Sequence, residues 1–182
     1  MRKEIRLTGF GGQGIALMGQ ILGKAASLYS GLEAVMTQAY GPEARGGASS
    51  ANIVISDKQI AYPFVQKPDI LVALSQEAYT KFRDTASIDA LILIDDGLVT
   101  PRMNDRVKTI PATSLAEGLG RRIVANVVML GFLTEVLGLI DQEFIIEAIK
   151  TTVKPKTIPL NLSAFSAGYE YAHREKLQVS EV

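Results

Sequence analysis

The chain has 182 residues, 47% of them apolar and 21% charged, with 19 basic residues against 19 acidic ones. That length fits one globular domain over residues 1–182 with a substantial core. The charge balance gives no field to draw in nucleic acid or an anionic membrane. Cysteine is absent and His173 is the single histidine. Disulfides, a thiol nucleophile, thiolate zinc and iron–sulfur clusters carried by this chain are thereby excluded, so electron carriers for any redox chemistry are expected elsewhere.

Met1-Arg2-Lys3-Glu4 leads straight into strand-like residues with no apolar leader, and a cytoplasmic location is expected. Ile5 to Thr8 reads as a first strand, ending in Gly9-Phe10-Gly11-Gly12-Gln13-Gly14. A helix follows over residues 15–29, with Ile15, Met18, Leu22 and Ala25 on one face and the small residues Ala16, Gly19, Gly23 and Ser27 on the next. Strands are predicted over residues 33–38, 51–55, 69–74, 91–94 and 107–110, the run Asp69-Ile-Leu-Val-Ala-Leu74 being apolar enough for a strand covered on both faces. Between the second and third strands lies Tyr40-Gly41-Pro42-Glu43-Ala44-Arg45-Gly46-Gly47, too rich in glycine for a regular element.

The last third reads as helical. Ser114 and Glu117 form an S-x-x-E capping box for a short helix. Residues 122–137 form a long apolar helix, Asp141 caps another to about Thr151, and Asn161 caps the last, which stacks Ala164, Gly168 and Ala172. The stretch from Ile123 to Ile140 is interrupted by Asn126, Thr134 and Glu135 and is short of the roughly 20 apolar residues a bilayer span needs, so it is a buried helix. The alternation predicts an α/β fold: a Rossmann-like, largely parallel sheet with flanking helices and a helical C-terminal third. The apolar face of residues 123–140 and the two small-residue faces are expected to meet another subunit.

Gly9, Gly11 and Gly14 match G-x-G-x-x-G between a strand and a helix. Glycine permits a tight turn and close approach of phosphate to the backbone, and the helix amino end favours an anion. The same pattern also serves a packing turn without a ligand. A dinucleotide site further needs an acid at the end of the second strand, and Met36-Thr37-Gln38-Ala39-Tyr40 supplies none, while Glu33 stands at the strand's beginning. No Gly-Lys-Ser/Thr follows the glycines, so this is not a P-loop. The loops after successive parallel strands share the carboxyl edge of the sheet. Gly9–Gly14 and Gly41–Gly47 are therefore expected to face one another, with Arg45 gripping phosphate or carboxylate or else pairing with Glu43.

Read together, the two glycine loops resemble the gamma subunit of 2-oxoacid:ferredoxin oxidoreductases. The resemblance continues through Ser56-Asp57, Pro68 to Ser75, Ala125-Asn126 with Gly131, Asn161, and Ala164-Phe165 with Gly168. It implies CoA-dependent oxidative decarboxylation of a 2-oxoacid to acyl-CoA, carbon dioxide and reduced ferredoxin, with 2-oxoglutarate favoured over pyruvate and branched-chain oxoacids. It implies a heteromeric complex with alpha, beta and ferredoxin-like delta subunits, the chain being inactive alone; a homodimer is expected of the isolated chain. Thiamine diphosphate, magnesium and iron–sulfur clusters are expected on those partners, and anaerobic metabolism as the setting. The ligand residues expected here, for CoA, are Gly9, Gly11, Gly12, Gln13, Gly14, Gly41, Glu43, Arg45, Gly46, Gly47 and Asn126. No catalytic residue and no metal ligand is assigned; Asp95-Asp96 reads as a turn before Gly97 in preference to a magnesium site, and His173 as a surface or interface residue. Two alternatives stay open: a stand-alone NAD(P)- or nucleotide-binding oxidoreductase, and a non-catalytic scaffold.

Overall fold

In a strand, alternate side chains point to opposite faces, and β1 (Arg2–Phe10) uses both: Ile5 and Leu7 enter one apolar layer while Arg6 and Thr8 face the other. The computed structural model describes residues 1–39 and 47–180. The sheet contains β1, β2 (Glu33–Ala39), β3 (Ala48–Ser56), β4 (Ile70–Ala73), β5 (Leu91–Asp95) and β6 (Val107–Ile110) in the order β2-β3-β1-β4-β5-β6. The pairs β1–β4, β4–β5 and β5–β6 are parallel, whereas β3 runs antiparallel to both β1 and β2. The largely parallel α/β sheet is thus as expected, with one departure from a Rossmann order: β2 and β3 are antiparallel neighbours, and β3 separates β2 from β1.

One face of the sheet is covered by α1 (Ile15–Lys24, continued as a π-turn through Tyr29), α3 (Ala112–Gly118) and α4 (Ala125–Leu137). The helices α5 (Gln142–Lys150) and α6 (Ile158–Ser180) complete that side. Ile5, Leu7, Ile53, Ile55, Val72 and Leu93 pack beneath them, fully buried. On the opposite face α2 (Gln76–Phe82) sets Tyr79 and Phe82 against Leu71, Ala73, Ile92 and Ile94. Among the described residues no helix is long and apolar enough to cross a membrane.

The apolar helix α4 is enclosed on nearly every side, its residues 126–135 all buried. Its outer surface lies against α6, where Gly168 abuts the Val128 carbonyl and the Phe132 amide, and Gly131 abuts the Phe165 carbonyl. On α1, Gly19 meets the Met36 side chain and the Ala51 Cβ. Within the stretch 123–140, residues 126–135 are therefore occupied within the chain, as are Gly19, Ala164, Gly168 and Ala172, and these are not the subunit contact expected of them; Gly23 has no neighbour within 4 Å of a Cβ, Ser27 is exposed, and Ile123 is 73% exposed.

Two expected caps are also corrected. The helix α3 starts at Ala112 directly after Pro111, whose ring suits a helix start, so Ser114 and Glu117 lie inside it and no capping box forms. The amide of Thr113 in its first turn is taken instead by Asp95 Oδ2, at 2.8 Å. Asn161 lies within α6 and donates from Nδ2 to the Thr157 carbonyl at 2.8 Å. Asp141 does occupy the cap position of α5, but without a side-chain hydrogen bond.

Candidate functional site

In an open α/β sheet the crevice forms outside the carboxyl ends of neighbouring strands whose connections leave to opposite faces. Here those strands are β1 and β4: the chain leaves β1 for α1 on one face and leaves β4 for α2 on the other. The glycine loop lies at this point. Gly9 sits in β1, where a Cβ would press on Gln13 Oε1 at 2.6 Å and Ile15 Cδ1 at 2.7 Å. Gly12 and Gly14 take φ of 94° and 73°, a region that favours glycine. Among the described residues, no acceptor takes the amides of Gly11, Gly12 or Gly14, while the Gln13 amide donates to the Phe10 carbonyl at 3.1 Å.

Gln13 ties the loop to the next strand. Its Oε1 accepts from the Phe10 amide at 2.5 Å and its Nε2 donates to the Leu74 carbonyl at 2.9 Å. Asn126, 3% exposed at the start of α4, donates from Nδ2 to the Gly14 carbonyl at 3.1 Å and accepts the Val127 amide on Oδ1 at 2.9 Å. A Cβ on Gly14 would strike this amide. Gln13 and Asn126 thus hold the loop in place through their side chains, and the amides of Gly11, Gly12 and Gly14 are left without an acceptor among the described residues.

Two hollows open here. One, of about 290 Å³, is lined by Gly12, Gln13, Leu74, Thr113, Ile123 and Asn126 among others. The other, of about 370 Å³, adjoins Phe10, Gly11, Ser75 and Leu98. Arg122 reaches both. Of the residues expected from sequence, Gly11, Gly12, Gln13 and Asn126 line these hollows, and Gly9 and Gly14 shape the loop from behind. Gly47 precedes β3, whose Ala48 pairs with Phe10. Gly41, Glu43, Arg45 and Gly46 lie outside the described residues. Leu74, Thr113 and Arg122 are additions that the sequence reading does not contain. The signal for Arg122 is slight: a charged pair, Arg121-Arg122, immediately before an apolar helix.

Asp95, Arg6 and His173 are each engaged within the chain. Asp95, fully buried, gives Oδ2 to the Thr113 amide and hydroxyl and Oδ1 to the Gly97 amide at 3.2 Å, which is the turn reading of Asp95-Asp96-Gly97. Arg6 gives its guanidinium to Asn52 Oδ1 at 2.7 Å, Thr85 Oγ1 and the Val65 carbonyl at 3.1 Å, with the Phe82 ring 5.6 Å away. Burial lowers its pKa, against the opposing charge of Glu4. His173, more than half exposed, meets Glu135 Oε1 at 3.1 Å beside Lys176. Burial would raise the Glu135 carboxyl, but hydrogen bonds from His173, Lys176 and Tyr169 outweigh it and hold the pKa below its ordinary value. Glu33 is exposed at the amino-terminal start of β2, the wrong end of a strand that is not beside β1. The ribose contact of a dinucleotide site therefore has no counterpart among the described residues.

The pyruvate ferredoxin/flavodoxin oxidoreductase family model matches residues 4–171. The chain belongs to that family, as a subunit of an oxoacid:ferredoxin oxidoreductase. It is 52% identical over 177 residues to the 2-oxoglutarate synthase subunit KorC of Methanocaldococcus jannaschii, covering 94% of this chain and 95% of that one. It is 40% identical to the ketoisovalerate oxidoreductase subunit VorA of Methanothermobacter thermautotrophicus, over 96% of this chain and 37% of that longer one. Among solved structures, the gamma subunit of a keto/oxoacid ferredoxin oxidoreductase from Geobacter sulfurreducens superposes with a TM-score of 0.85 at 37% identity, covering 96% of this chain and 98% of that one.

Proposed function

We propose that this chain is the gamma subunit of a 2-oxoglutarate:ferredoxin oxidoreductase, acting in a cytoplasmic complex with alpha, beta and ferredoxin-like delta partners. The observation that carries this reading is the 52% identity to a 2-oxoglutarate synthase subunit over nearly the whole of both chains; the match to a ketoisovalerate subunit is weaker, at 40%. The complex converts 2-oxoglutarate and CoA to succinyl-CoA and carbon dioxide, passing the electrons to ferredoxin. Thiamine diphosphate with magnesium, on the partners, supplies the decarboxylation, and the partners' iron–sulfur clusters carry the electrons, consistent with a chain that has no cysteine.

The part assigned to this chain is to hold CoA at the carboxyl edge of its sheet. Gly11, Gly12 and Gly14 offer backbone amides, Gly9 lets the turn close, and Gln13 and Asn126 fix it in place. We assign Gly41, Glu43, Arg45, Gly46 and Gly47 to the same ligand, with Arg45 as a second cation for phosphate. The test is affinity purification of the tagged chain from its own cells, followed by oxoacid-dependent viologen reduction with CoA. Co-purifying subunits and a preference for 2-oxoglutarate are expected. A partner-free chain, or activity confined to another oxoacid, overturns the corresponding part of the proposal.

A further inference from the structure

The two hollows at the carboxyl edge share Gln13, Leu74 and Arg122 in their walls, and Gln13 Nε2 donates to the Leu74 carbonyl. Among the described residues lining them Arg122 is the one cation, and none is a carboxylate. Its ion-pair contact, with Glu117, is long at 3.9 Å, with side chains 65% and 55% exposed. A pair of that kind is weak and screened by salt, so the guanidinium is available to a ligand. The backbone aims it: Gly120, at φ 87°, ends the stretch after α3, Arg121 is extended, and residues 122–124 form a single tight turn leading into α4. The same turn carries the exposed Ile123 to the wall of the first hollow, together with Leu74 and Ala125. Phe10 and Leu98 give the second hollow an apolar side as well.

Two partly apolar hollows whose shared wall carries one cation, beside glycine-loop amides with no acceptor among the described residues, fit an elongated ligand with its anionic part in the middle. We propose that Arg122 is the diphosphate anchor for CoA, its planar fork holding the diphosphate where the two hollows share Gln13 and Leu74, beside the glycine-loop amides. A guanidinium is suited to this because it presents paired donors at the spacing of phosphate oxygens. The inference rests on the gamma-subunit reading above and gives a role within it to a residue that in the sequence is ordinary surface.

The experiment measures steady-state kinetics of the intact complex with CoA and with pantetheine, which keeps the thiol but lacks the diphosphate. Arg122→Ala is expected to raise KM for CoA about 10- to 100-fold. KM for the oxoacid and kcat/KM for pantetheine should stay within twofold of the parent. Arg122→Lys should recover part of the CoA effect, because it keeps the charge and loses the fork. An unchanged KM for CoA in Arg122→Ala, or an equal loss with pantetheine, overturns the assignment. Gly12→Asp, with Gly12→Asn as the uncharged control for backbone strain, separates the role of the residue from the role of the cleft. If Gly12→Asp impairs CoA use while Gly12→Asn and Arg122→Ala do not, the cleft stands and the Arg122 role falls. If neither Gly12→Asp nor Arg122→Ala changes CoA use, this edge is not the CoA site and the reading beneath it falls too.

Discussion

Replacing Gly168 with alanine tests how closely α4 and α6 are seated. A Cβ at that position would overlap the Val128 carbonyl and stand 3.0 Å from the Phe132 amide nitrogen. These are backbone atoms of a buried helix, which no side-chain rotation can move aside. Relief requires the helices to separate along a seam that also contains Gly131 against Phe165. Overpacking of this kind costs about 3 kcal/mol at the upper end of its range, and alanine returns about 1 kcal/mol of helix propensity. The net loss is about 2 kcal/mol, or roughly 4–8 °C in Tm for a chain of this size. Gly23→Ala in the continuous helical run is the matched control: a Cβ there would have no neighbour within 4 Å, so up to about 1 kcal/mol of stabilisation is expected. Calorimetry and urea unfolding of the purified chain read both. A Gly168→Ala protein as stable as the parent would refute the close-seam argument.

Further outcomes follow from the polar contacts. Asn126→Ala strips the Gly14 carbonyl and the Val127 amide of a partner, an expected cost of about 1–3 kcal/mol, with faster hydrogen exchange in residues 11–16 by mass spectrometry as the local sign. Arg6→Lys cannot serve Asn52, Thr85 and Val65 with the geometry of a guanidinium, and a loss of about 2 kcal/mol in urea unfolding is expected. Glu135 has its pKa held below the unfolded value, so its contribution is complete above the ordinary glutamate range and fades as pH falls through the folded pKa. Glu135→Gln should therefore lower Tm at pH 7, and the gap to the parent should narrow below about pH 4. A gap that stays constant with pH would assign the loss to packing.

Strongly patterned segments are legible in the sequence. The apolar run Ile70–Ala73 and the helix starting at Ile15 are placed by it almost to the residue, because burial on both faces and a helical stripe leave distinct periods. The caps fail for a local reason: Ser114 and Asn161 have the right chemistry, but Pro111 and Pro155 set the helical turns going earlier. The antiparallel course of β3 is hidden because its residues alternate as a parallel strand with one polar face would. Ile53 and Ile55 enter the core as expected, and direction leaves no mark on that pattern. At the candidate site, Gln13 and Asn126 are found through the glycine motif and through a polar residue in an apolar helix. Arg122 is not, since an exposed arginine is ordinary until the fold brings residues 13, 74 and 122 to one cleft.

The enclosure of α4 by α6 has a consequence for how the chain is made. During synthesis the sheet and α1 emerge first, but α4 is apolar on its outer side as well, and that side is covered only when residues 158–172 have left the ribosome. The nascent protein must carry an uncovered greasy helix from the moment α4 leaves the ribosome until α6 has followed it. Any delay between the emergence of α4 and that of α6 would lengthen the exposure and favour chaperone capture or aggregation.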